Sequence, residues 1–94
     1  MFLVEVSRTG PQWNPALPME EQTGWHAHAE FMDGLVDSGF IVLGGPLGHD
    51  GRALHVIDAE NEAEVEERLA EDPWSDELLV IASIEPWTIL LQAG

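Results

Sequence analysis

The sequence predicts an α+β fold in the order β-α-β-β-α-β, and three observations predict it. The runs "FLVEVS", "FIVLGGP", "RALHVIDA" and "ELLVIASIEPWTILLQ" have strand character. Two segments among them carry helical periodicity. Glycine, proline and Asp-Gly punctuation separates the segments.

Residues 2–7 alternate loosely and read as the first strand. The Pro/Gly-rich "RTGPQWNPALP" reads as a loop. Met19 to Ser38 has a helical pattern, and Gly39 sits where a glycine stops a helix. Residues 40–46 form an apolar strand closed by Gly44, Gly45 and Pro46. Asp50-Gly51 supplies a turn, and residues 52–59 return as the hairpin partner. Asn61 caps a second helix with Glu64 as its capping-box partner, and that helix must end near Pro73. Residues 77–92 form the last strand, bent near Pro86.

This order is the split-βαβ, ferredoxin-like arrangement. Right-handed crossovers place both helices on one face of a four-stranded antiparallel sheet. "LLVIASI" (78–84) is apolar at nearly every position, as in a strand buried on both faces. The second sheet face then needs a cover, and the simplest is another copy about a two-fold axis. A homodimer is expected.

The 94 residues are enough for one domain, 1–94, and 45% of them are hydrophobic, so a core is expected. The absence of cysteine excludes disulfides, thiolate metal sites and cysteine nucleophiles. Eighteen acidic residues against three arginines give a net charge of -15. Such a surface repels nucleic acid and anionic membrane. "MFLVEVSRTG" has no signal-peptide pattern, and no apolar run approaches the ~20 residues that span a bilayer. A cytoplasmic protein is expected.

The chemistry concentrates in "GWHAHAEFMDGL" (24–35). Residues two apart on a helix point about 200° away from each other, so His26 and His28 cannot grip one metal. His26 shares a row with Glu30, Asp33 and Asp37, an acidic solvent face. His28 shares one with Met32, Leu35 and Val36, the face toward the sheet. A lone inward histidine is more often a satisfied core residue than a reactive one, so it needs a partner. The second helix offers Asp72, next on the apolar row of Val65 and Leu69. An inward aspartate is destabilising unless paired, although before a proline it can simply end a helix. An aspartate that holds an imidazole fixes its tautomer and makes it a better base.

The stretch "HAEFMDGLVDSGFIVLGGPLGHDGRALHVIDA", then "AEDPW" and "IEPW", resembles the YCII-related family of the dimeric α/β-barrel group. The resemblance covers most of the chain from about residue 24. It implies a homodimeric barrel with an active site built on a histidine and an aspartate. The spacing to Gly39 and Gly45-Pro46 fits His28 to the family histidine, and Asp72-Pro73-Trp74 matches the family's Asp-Pro-aromatic motif. Some members are associated with lyase or dehydrochlorinase reactions on hydroxylated aromatic compounds. An arginine often precedes the family histidine by one turn. Trp25 stands there in this chain with nothing basic nearby, which favours an aromatic or neutral ligand over an arginine-anchored anion.

Gly44, Gly45 and Pro46 can line a pocket or merely end a strand. Trp74, beside Asp72, is the best tryptophan for a pocket wall. His49 is expected in solvent, and His55 as a core residue rather than a pocket wall. No ligand spacing is diagnostic of a metal, and no cofactor is expected. The leading expectation is a small cofactor-independent enzyme. His28 serves as general base or acid, oriented by Asp72, and Met32, Gly45, Pro46 and Trp74 shape the pocket for a small-molecule ligand. The alternative is a non-catalytic module binding a ligand or partner on the same scaffold. It predicts His28 and Asp72 too far apart to hydrogen-bond, directly or through one water, and no enclosed polar pocket. An oxygenase shares only the fold, which does not establish function.

Overall fold

The computed structural model describes residues 1–93. Its elements are β1 (Phe2–Ser7), a 3-10 turn (Met19–Glu21), α1 (Trp25–Asp37), β2 (Ile41–Leu47), β3 (Arg52–Ile57), α2 (Glu62–Leu69) and β4 (Val80–Pro86). The sheet order is β2-β3-β1-β4, and all three pairings are antiparallel. This is the ferredoxin-like α+β fold. Among the described residues no helix is long and apolar enough to cross a membrane.

The period of two decides which strand residues meet the helices. Val4 and Val6 of β1 are buried, and their register partners on β3 are His55 and Ala53. Ile84 and Ile81 of β4 flank the same two valines on the other side. With Ile41, Ile57, Leu35, Phe40, Val65 and Leu69 they make one apolar core between sheet and helices. The opposite row carries Leu3, Val56 and Leu43, aligned side by side in the register. Leu43 is 64% exposed there.

The expected helix from Met19 to Ser38 is interrupted. Met19–Glu21 form only a 3-10 turn, and α1 starts at Trp25. Gly24 sets the break with φ +80, a left-handed conformation that cannot continue a helix. The buried Gln22 side chain donates to the Asn14 and Leu17 carbonyls at 2.7 and 3.0 Å and accepts from the Asn14 N–H at 3.0 Å. It thereby staples the long loop after β1 onto the start of α1. Val36, expected on the sheet-facing row, is 51% exposed.

α2 also ends earlier than its pattern. Asn61 caps it by accepting the Glu64 N–H at 2.8 Å, but Glu64 reaches back to the Glu60 N–H rather than to Asn61. The helix stops at Leu69, and the Glu71 and Asp72 N–H groups reach only three residues back, to Arg68 and Leu69. Pro73 disfavours helical backbone at Asp72, which accounts for the early stop. The last strand is likewise shorter than 77–92. β4 ends at Pro86, and Leu90 and Leu91 beyond it are almost fully exposed. Within this chain β4 is half-buried or exposed at every position rather than buried on both faces.

Candidate active site

Helix α1 turns His28 inward, 7% exposed, while His26 on the opposite side is exposed. His28 Nδ1 lies 2.8 and 2.9 Å from the two carboxylate oxygens of Asp72. The paired side chains are 9% and 8% exposed. Asp72 arrives from beyond the end of α2, not from its helical row. Proline at position 73 has no N–H, so the Asp72 carboxylate accepts the next one, that of Trp74, at 2.9 Å. A single Asp-Pro-Trp turn therefore aims the carboxylate at His28 and sets the Trp74 indole. That indole is 1% exposed and stacks on the imidazole at 4.0 Å with planes 8° apart. Its Nε1–H donates to the Thr23 carbonyl at 2.8 Å, next to Gly24. A Cβ on Gly24 would stand 3.3 Å from that nitrogen, so the close approach as well as the turn calls for glycine.

The imidazole is thus fixed at its face by Trp74 and at Nδ1 by Asp72. A carboxylate accepts, so Nδ1 carries a hydrogen, and in the neutral imidazole Nε2 is then the nitrogen with the lone pair. His28 lines a cleft of about 430 Å³ between α1 and the sheet. The cleft is of the size that holds small organic ligands. Met32, Gly45, Pro46 and Trp74 line it too, so every expected pocket residue meets His28 there. Asp72 lies behind, on a second cavity of about 30 Å³.

The structure adds residues that the sequence reading left out. His55 is a cleft wall rather than a core residue, because the cleft reaches the inner row of β3. Its Nδ1 is buried without a hydrogen-bond partner, and its ring borders the small cavity shared with Asp72. Burial, reinforced by His28, pushes its pKa below the ordinary value, with Asp72 opposing. Gly44 lies opposite His55 in the register, and a Cβ there would come within 2.5 Å of the ring. The glycine makes the seat on which the imidazole lies. Trp25 tilts over both His28 and Trp74 at 5.9 and 5.7 Å. Arg8, Met19 and Val36 complete the walls. The signal for Arg8 is in the alternation Val4, Val6, Arg8, which carries the inner row of β1 past the strand end. Among the described residues no three His, Asp or Glu side chains converge as metal ligands.

No protein-family model and no curated protein matches this chain. One solved structure does. It is that of a 5-chloro-2-hydroxyhydroquinone dehydrochlorinase from Burkholderia phenoliruptrix in complex with 2,5-dihydroxybenzoquinone. The similarity has a TM-score of 0.63 and covers 94% of each chain at 22% identity. At that identity the likeness is one of fold alone.

Proposed function

We propose that this chain is a small-molecule enzyme in which His28 removes a proton from a hydroxylated aromatic substrate. The observation that carries the reading is the 2.8 Å contact between His28 Nδ1 and Asp72, at the wall of a ligand-sized cleft. A purely structural histidine does not need its second nitrogen left open on a cleft. Of the two features expected of a non-catalytic module, a separated pair and no enclosed polar pocket, the 2.8 Å contact speaks against the first.

In the proposed step the C–H or O–H bond of the substrate breaks and its proton passes to His28 Nε2. Asp72 stabilises the imidazolium through Nδ1–H. The electron pair left behind forms a double bond as a leaving group departs with its own pair, or the proton returns at another carbon. The outcomes are elimination and isomerisation respectively. The dehydrochlorinase with the same fold supports elimination and supplies the ligand class, a hydroxylated ring or hydroxyquinone.

Chloride release from 5-chloro-2-hydroxyhydroquinone, followed without oxygen, tests the reading. General-base catalysis of this kind contributes about 10²–10⁴-fold, so His28→Gln should lose that much and Asp72→Asn a similar share. Equal rates in wild type and His28→Gln, with both proteins folded, would overturn the role of His28.

We also infer a homodimer, packed through the sheet face opposite the helices, as the YCII-related resemblance implies. The apolar row Leu3, Val56 and Leu43 on that face supports it.

A further inference from the structure

We propose that Arg8 is an anion anchor, so that the molecule held against His28 carries an ionised oxygen. This rests on reading the cleft as the substrate site, and it narrows the substrate class to an anion, where Trp25 in place of the family's arginine by itself favours an aromatic or neutral ligand.

The three arginines have different fates. Arg52 Nε donates to both oxygens of Asp50 at 2.8 and 2.9 Å, and its Nη1 lies 3.7 Å from Glu5 Oε1. Arg68 lies over the Phe40 ring at 4.6 Å. Arg8 is the cation on the cleft wall, and among the described residues its guanidinium makes no hydrogen bond or ion pair. In a chain with eighteen carboxylates, an arginine that meets none of them is set apart by position.

Two contacts hold it there. Its backbone N–H donates to the Gly51 carbonyl at 3.0 Å, and its stem packs beside Gly51. Its guanidinium carbon lies over the Trp13 ring at 5.2 Å. A cation over a ring uses none of its N–H donors on a carboxylate, so they remain to match the two oxygens of a carboxylate or hydroxyquinone anion. Trp13 meets Trp74 edge to face at 5.7 Å, and Trp74 stacks on His28. One aromatic ladder thus ties the anchor to the base.

The electrostatics agree. An anion in an apolar cleft is unfavourable unless it is paired, and the net charge of -15 opposes its approach. The other charged side chain lining the cleft, Asp33, is exposed on α1. Arg8 is therefore the group that makes the cleft hospitable to an anion.

Tryptophan fluorescence titration tests the anchor by binding alone, independently of turnover. The probes are 2,5-dihydroxybenzoquinone, a vinylogous acid ionised at neutral pH, and its neutral di-O-methyl ether. Wild type should prefer the anion by roughly tenfold or more, as expected for charge-assisted hydrogen bonds. Arg8→Gln should erase the preference while ether binding stays the same, and Arg8→Lys should restore part of it. Should Arg8→Gln not fold, Arg8→Met reads out the same loss of preference at neutral pH. Equal binding of both probes, a preference that survives Arg8→Gln, or binding of neither probe overturns the proposal. His28→Gln should keep the preference while losing chloride release, so the failure of one proposal is distinguishable from failure of the other.

Discussion

At the scale of the residue, the site is set by what surrounds two histidines. His28 meets a carboxylate at Nδ1 and an indole at its face. His55 meets neither, and its buried Nδ1 has no partner. Burial therefore holds His55 in its neutral form, with His28 acting in the same direction. The folded-state pKa lies below the unfolded value, so protonation favours unfolding. The contribution of His55 to stability is present in full above pH 6.5, its ordinary value, and is lost as the pH falls below it toward the depressed value. Urea midpoints between pH 7.5 and 5 should fall more steeply in wild type than in His55→Phe. Parallel curves would show that His55 is not held neutral. Gly44 is the companion test. Ala at position 44 brings a Cβ within 2.5 Å of the His55 ring and 3.0 Å of the Leu54 carbonyl. Overpacking of this kind costs about 1–3 kcal/mol, measurable by chemical denaturation, and should shift the His55 resonances.

At the scale of the element, the interruptions matter more than the regular spans. Gly24 breaks the first helix, and the break brings the Thr23 carbonyl to Trp74. Pro73 cuts short the second, and the resulting turn carries Asp72 to His28. Regular helix continued through either point would separate the pair. The start of α2 is by contrast an independent local structure. The Asn61 side chain holds the Glu64 N–H there at 2.8 Å, remote from the cleft. Asn61→Ala should lower stability by about 1 kcal/mol in urea denaturation and leave catalysis unchanged. A loss of activity in that variant would mean that α2 positions Asp72 more directly than the turn does.

At the scale of the whole molecule, one sheet face is covered by helices and the other, among the described residues, by no element. Leu43 and Val42 on β2 are 64% and 43% exposed, and the apolar tail after β4 adds Trp87, Leu90 and Leu91. The proposed second copy against that face would remove the apolar row from water. Leu43→Glu puts a charge at its centre, where it would be desolvated without a partner. Sedimentation should find wild type dimeric at micromolar concentration and the Leu43→Glu variant shifted toward monomer. A wild-type monomer would sink the dimer.

The sequence by itself determined the β-α-β-β-α-β order and the inward turn of His28, because hydrophobic period and turn residues are local properties. It also indicated Asp72 as the partner, since an aspartate before Pro73 beside an apolar helix row needs one. Only the tertiary structure decided where the elements break and what the cleft contains. Arg8 lies in a loop, and His55 sits in a strand that reads as core. The alternation Val4, Val6, Arg8 foreshadows the inner row of Arg8, but sheet pairing and the packing of α1 decide that this row and His55 border the His28 cleft. Such contacts are long-range, so local pattern does not record which residues meet.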